Sequence, residues 1–303
     1  MEIGDFAEKV CSALQERLGR GYVVESREVR KNNGVLLQGL LIATPGNNVI
    51  PTIYLESILE AYEAGMPFEQ VIDRLLSVYR KNLPREMVNL EYFKHFEAVK
   101  DRICYRLVGR KGNEILLDEV PHKDFLDLVI CFFYAFHDKE LGEGSITIYN
   151  SHMEMWGTDA SELFQLAQCN TPRLFPWKCQ EIEEILEAMA EDAGEDGEIL
   201  NHTENMGFSH ISMKVLTNSI LRFGASCILY PAVLEQIVGK AGRDLYIIPS
   251  STHETILLPA LGNEVERLKD IISCVNRTQV APEEMLSDSL YYYDRAERKI
   301  KML

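Results

Sequence analysis

The dipeptide Asn33-Gly34 sits between two β-prone runs in "YVVESREVRKNNGVLLQGLLI". Asn and Gly accept the positive φ angles that a tight hairpin turn demands, so this pair is the strongest short-range signal for antiparallel pairing. A helix precedes it, because Phe6, Val10, Leu14 and Leu18 recur every four residues and give residues 5–18 one apolar stripe. A helical stripe followed at once by a hairpin constrains the chain more than any other local feature. It calls for an α/β or α+β fold with mixed, largely antiparallel sheet and flanking helices.

Downstream patterns extend that reading. "NVIPTIYL" is extended, and helices are expected over 55–64 and 67–81, the second opening at Pro67 and burying Phe68, Val71, Ile72, Leu75, Leu76 and Tyr79. A helix over 90–101 would turn Phe93, Phe96 and Val99 inward, and "ICYRLV" follows as a strand. In "EVPHKDFLDLVICFFYAF" a strand leads into either a buried strand or a helix, which periodicity alone does not separate. "SITIYN" reads as a strand. "GTDASELFQLAQCN" reads as a helix with Asp159 as N-cap and Glu162 three residues on, ended by "TPRLFP".

Residues 181–198 hold nine acids, and no Lys or Arg lies between Lys178 and Lys214. The expected organisation is an N-terminal α/β half (1–190), an acidic mobile loop (191–210) and a C-terminal strand-helix-strand-strand half (211–303). One continuous domain with a long surface loop fits equally well. In the C-terminal half "SMKVLT" is extended, and "GASCILYPAVLEQIVGKAG" is a helix kinked at Pro231. "RDLYIIP" and "TILLPAL" are strands, a helix covers about 264–275, and "LYYYDRAERKIKM" forms a terminal hairpin.

Charge and composition exclude several classes. The balance of 31 Lys and Arg against 47 Asp and Glu gives −16, which repels nucleic acid and anionic lipid. Arg295, Arg298, Lys299 and Lys301 make one basic spot, but Asp294 and Glu297 offset it, so it reads as a solvated edge hairpin. The longest apolar run, Leu128 to Phe136, is about half of a membrane span. The acidic start "MEIGDFAEKV" does not look like a signal peptide. Seven widely spaced cysteines without a C-x-x-C suggest reduced thiols and a cytoplasmic location. Gly-rich phosphate loops are missing and no metal-ligand spacing is recognisable, so no cofactor and no metal are expected.

The blocks "NVIPTIYLE", "VPHKDFLDL", "NSHMEMWG", "NTPRLFP", "GASCILYPAVLE", "DLYIIPSSTHETILLPA" and "SDSLYYYDR" together resemble a bacterial family, domain of unknown function 5688. The resemblance covers nearly the whole chain. It implies one architecture from end to end and carries no activity with it.

Chemistry is concentrated in "PSSTHETILLPA". Ser251 and His253 share a face if the segment is extended, with Cα atoms roughly 6.5 Å apart, whereas His253 and Glu254 point to opposite faces. A polar hairpin turn is the alternative to a nucleophile-base pair, which needs about 3 Å between heavy atoms. Two further histidines stand beside acids, His122 with Asp124 and His152 with Glu154, and would share faces if extended. Three such pairs converging would make a metal or general-base site, and three separate pairs would cap or decorate the surface. The expectation is a non-enzymatic binding or interaction protein with an unknown protein or small-molecule partner. The alternative is a hydrolase-like enzyme with its His, Ser and carboxylate site at the strand ends.

Overall fold

The structure, a computed structural model, describes residues 1–46, 48–83, 89–138, 142–185, 213–249, 251–262 and 265–303. The acidic segment expected over 191–210 lies outside the described residues. The chain is an α+β protein in two compact units, one of residues 1–95 with 135–145 and one of 96–134 with 146–303. Among the described residues no helix is long and apolar enough to cross a membrane.

The first unit holds α1 (Ile3–Leu18), β1 (Val23–Arg30), β2 (Leu36–Ala43), β3 (Thr52–Tyr54), α2 (Glu56–Glu63) and α3 (Phe68–Asn82). The expected hairpin joins β1 to β2 in register from Arg30↔Leu36 to Val23↔Ala43. Asn33 and Gly34 carry φ of 60° and 69°, which is why this dipeptide closes the turn. The α1 stripe (Phe6, Val10, Leu14), the sheet residues Leu40 and Ile42 and the α3 face (Ile72, Leu75) form one core.

A helix is expected over 90–101, where the first unit gives way to the second at residue 96, and the structure corrects that reading. A 3-10 turn (Glu91–Lys94), a single turn α4 (Phe96–Val99) and a second 3-10 turn (Lys100–Arg102) replace it. The apolar positions Phe93, Phe96 and Val99 recur every three residues, which suits 3.0 residues per turn rather than 3.6. Then come β4 (Ile103–Gly109), α5 (Glu114–Glu119), β5 (His122–Phe125), β6 (Leu128–Asp138) and β7 (Gly142–Thr147), of which residues 135–145 belong to the first unit. The ambiguous run at 128–136 is thus a strand, paired antiparallel with β4 and β5. Both faces of β4 and β6 are covered, which explains the lack of alternation in the sequence.

α6 (Asn150–Trp156) and α7 (Ala160–Leu174) follow. Asp159 caps α7 by accepting from the Ser161 and Glu162 N–H groups. The helix continues through Pro172 rather than ending before it. A proline so close to the C-terminus removes one bond from a turn that is about to end.

The remaining elements are β8 (Trp177–Glu181), β9 (Lys214–Asn218), a 3-10 helix (Gly224–Leu229), α8 (Val233–Ala241), β10 (Leu245–Ile248), β11 (Thr255–Pro259), α9 (Val265–Thr278), β12 (Tyr291–Asp294) and β13 (Lys299–Met302). Their strands form a sheet in the order β13-β12-β10-β11-β9-β8. The single kinked helix expected at 224–242 is two helices. Tyr230 before Pro231 is extended (φ −70°, ψ 137°), as a pre-proline residue prefers, and Ala232 turns left-handed (φ 60°) before α8 starts.

Asp127, in the turn between β5 and β6, ties this sheet to the β4-β6-β5 sheet. Its carboxylate accepts from Ser287 Oγ at 2.5 Å, Ser289 Oγ at 2.9 Å and the Tyr291 hydroxyl. Burial, helped by that carboxylate, pushes the Tyr291 phenol above its ordinary pKa.

Candidate functional site

The loop between β10 and β11 carries Ser251, His253 and Glu254. Ser251 Oγ donates to Glu254 Oε1 at 2.6 Å and accepts from the His253 N–H (3.0 Å) and the Glu254 N–H (3.3 Å). No hydrogen bond joins the Ser251 hydroxyl to the His253 imidazole, and the loop backbone bridges to Met285. The His253 ring faces elsewhere. Its Nδ1 accepts from the Phe223 N–H at 3.3 Å, its Nε2 lies 3.5 Å from Glu284 Oε1, and it stacks on Phe223 with 18° between the planes. The His253 carbonyl accepts from Thr217 Oγ1 at 2.8 Å.

The stacked Phe223 belongs to the turn between β9 and the 3-10 helix. Buried Asn218 shapes this turn: its Nδ2 donates to the Arg222 carbonyl at 2.7 Å, and its Oδ1 accepts from the Ile220 and Arg222 N–H groups. Leu221 and Phe223 are both left-handed (φ 55° and 56°). Two guanidinium groups lie over the Phe223 ring, Arg106 with Cζ 5.1 Å from the centroid and Arg222 at 4.9 Å. Arg106 projects from the middle of β4, whose other residues are all buried. Burial is the main cause that lowers its pKa; Cys131 opposes that, and the like charge of Arg222 adds to it.

The other two pairs serve different neighbours. His122 Nδ1 lies 3.0 Å from the Val120 carbonyl, and Asp124 is ion-paired with Arg110. The extended reading of His152 and Glu154 is corrected, because both lie on α6. Two residues apart on a helix is about 200° of rotation, so these side chains leave on opposite sides. His152 Nδ1 accepts from the Tyr149 N–H at 3.2 Å, its ring lies against Trp156, and burial holds its pKa below the usual histidine value. Among the described residues no group of three His, Cys, Asp or Glu side chains is placed to hold a metal ion. Cys104 and Cys227 are buried, which pushes their thiols up to about 12, away from the thiolate that nucleophilic chemistry needs.

A cleft of about 370 Å³ lies elsewhere in the second unit. Ile228 and Leu234 come from the two helices that Pro231 separates and Tyr230 from the extended link between them, while Tyr293 and Ile300 come from the β12-β13 hairpin. Glu235 and Arg298 stand at its wall with 3.5 Å between their charged groups. Two of its lining residues, Ala232 and Arg298, hold left-handed backbone (φ 60° and 52°). Sequence reasoning missed this site. Its signals were Pro231 inside a helical pattern and a basic residue at a hairpin position where Gly or Asn is usual.

The geometry of the His253 loop carries a measurable consequence. Ile247 and Leu257 pair across β10 and β11 and are fully buried, so Leu257→Ala is expected to cost about 2–5 kcal/mol in urea unfolding. His253→Ala, which removes one acceptor from a partly exposed ring, is expected to cost about 1 kcal/mol. Equal losses at the two positions would contradict this assignment.

Fold and cleft together define an α+β protein of two units, one of which carries a cleft the size of a small molecule. A model for a family of unknown function (DUF5688) matches residues 3–295, and the chain belongs to that family. No curated protein and no solved structure matches it.

Proposed function

We propose that the protein is a non-enzymatic cytoplasmic binding protein whose partner is a small amphipathic molecule held in the cleft beside Pro231. One observation supports this most. The cleft is lined by apolar and aromatic side chains with a few charged groups, and among the described residues its lining includes no His, Cys, Ser or Thr. Its volume of about 370 Å³ suits a compact ligand. Hydrolysis by protein side chains would need a nucleophile and a base in mutual reach, and the Ser251-His253 loop contributes nothing to this wall. Left-handed Ala232 and Arg298 are strained positions of the kind that persist at ligand clamps. The charge of −16 argues against nucleic acid and anionic membranes as partners.

The test is a thermal-shift screen of small amphipathic compounds against wild type, Ile300→Trp and His253→Ala. Ile300→Trp fills the cleft from β13. A compound at a hundredfold excess over its Kd is expected to raise the wild-type Tm by roughly 5 °C. The shift should vanish in Ile300→Trp and persist in His253→Ala. A shift lost in His253→Ala and kept in Ile300→Trp would move the site to the β10-β11 loop and revive the hydrolase-like reading.

A further inference from the structure

The cleft beside Pro231 has an apolar floor and a charged wall, and the two call for different parts of one ligand. The floor is preformed. Tyr230 is held by its hydroxyl, which donates to the Phe175 carbonyl at 3.0 Å, and by edge contact with the Tyr105 ring. Ile228, Leu234 and Tyr293 are buried and line the same cleft. An apolar body settling here orders few side chains, so little affinity is lost to entropy.

The wall carries Glu235 from the first turn of α8, with Arg298 and Lys299 from the end of the β12-β13 turn. Neighbouring charges of that hairpin are engaged. Lys301 is ion-paired with Asp294 and Glu297, each at 3.0 Å, and Arg295 donates to the Gly242 carbonyl. Asp294 also accepts from the Ala296 and Glu297 N–H groups, which shapes the turn that presents left-handed Arg298. Glu235 and Arg298 meet each other at 3.5 Å, partly exposed, in a weak contact that a ligand can exchange. Both charges act on the Tyr293 phenol. Burial is the first cause that raises its pKa, the Glu235 charge adds to the rise, and the Arg298 charge opposes it. The fields of both groups thus extend to the buried lining of the cleft.

Opposite charges on one wall select against ligands with a single charge. A lone carboxylate on Arg298 would face Glu235, and a lone ammonium on Glu235 would face Arg298 and Lys299. An uncharged ligand would cover the pair and offer neither group a partner. An ammonium and a carboxylate on one carbon satisfy both. We propose that the ligand of this cleft is a free α-amino acid with an apolar side chain. Its ammonium sits on Glu235, its carboxylate on Arg298 and Lys299, and its side chain on the floor by Tyr230 and Tyr293. Two cations beside one acid suit a carboxylate, with its two acceptor oxygens, next to one ammonium. The inference rests on the cleft being the binding site and names the chemistry of what binds there.

The experiment is calorimetric titration of the full chain at low ionic strength with L-leucine and L-phenylalanine. Each is compared with the analogue that lacks the ammonium, 4-methylpentanoate or 3-phenylpropanoate, and the one that lacks the carboxylate, isopentylamine or phenethylamine. One amino acid or both should bind saturably, about tenfold or more tighter than either analogue, and lose binding in Ile300→Trp. Glu235→Gln and Arg298→Gln change exposed side chains and keep the fold. Glu235→Gln should remove the advantage of the amino acid over the acid analogue, and Arg298→Gln its advantage over the amine. His253→Ala should bind as wild type does. The inference is overturned if an analogue binds as tightly as its amino acid, if both Gln variants keep wild-type affinity, or if Ile300→Trp leaves binding unchanged. It is also overturned if neither amino acid binds. If an amphipathic compound of the wider screen then still gives a shift that Ile300→Trp removes, the cleft reading stands and only the amino acid is excluded. If that screen is blank as well, both fail.

Discussion

Gly224→Ala is expected to destabilise the second unit by about 3 kcal/mol or more, read as a lower urea midpoint at unchanged m-value. The cause is steric. A Cβ at this position would collide with Thr217 Oγ1 and the His253 carbonyl oxygen, and would meet the Asn218 nitrogen at 2.8 Å. Two of these three atoms are backbone, in β9 and in the β10-β11 loop, so neither can step aside by changing rotamer. The displaced carbonyl is also the acceptor for Thr217 Oγ1. Gly239 provides the control. It lies in α8 with open space where its Cβ would be, and Gly239→Ala should raise stability by about 0.5–1 kcal/mol through helix propensity. If both alanines behave alike, the close approach at Gly224 is not present.

Asp127→Ala is expected to cost about 3–4 kcal/mol. The carboxylate accepts from Ser287, Ser289 and Tyr291, and a hydrogen bond to a charged group contributes about 1.5–3 kcal/mol. The three bonds are not additive, and Asp127 is partly exposed, which holds the loss below their sum. Asp127→Asn keeps one carbonyl acceptor and should lose about half as much. A loss under about 1 kcal/mol for the alanine variant would show that the two sheets are held together by packing alone.

Local signals carried the fold well. Asn33-Gly34, the α1 stripe and the Asp159 cap are each decided within a few residues, and each forms as its residues dictate. Where two periods compete, the sequence is ambiguous. Phe93, Phe96 and Val99 satisfy a helical stripe loosely and a 3-10 turn closely, and β6 lacks alternation because both its faces are covered. His152 and Glu154 look paired only if extended, and α6 removes that condition. The sites were harder still. The His253 ring finds Phe223 and Glu284, thirty residues away in each direction or nearly so, and no spacing rule encodes such a meeting. Arg106 had one usable signal, a lone cation inside the apolar strand "ICYRLV", whose meaning depends on what the fold places above it.

The Asp127 junction also orders events during synthesis. Its partners are encoded 160 to 164 residues later. A ribosome adding about 5–20 residues per second takes roughly 10–30 seconds to cover that distance. For that interval the turn between β5 and β6 presents an unmet carboxylate, and from the completion of β10 until β12 is made β10 lacks that neighbour along one edge. The β1-β2 hairpin, by contrast, closes from pairings made within about twenty residues, and the α1-α3 core needs only residues up to Tyr79. A nascent chain that ends before residue 287 therefore has none of the side-chain partners of Asp127, and completion of "SDSLYYY" is the step that supplies them.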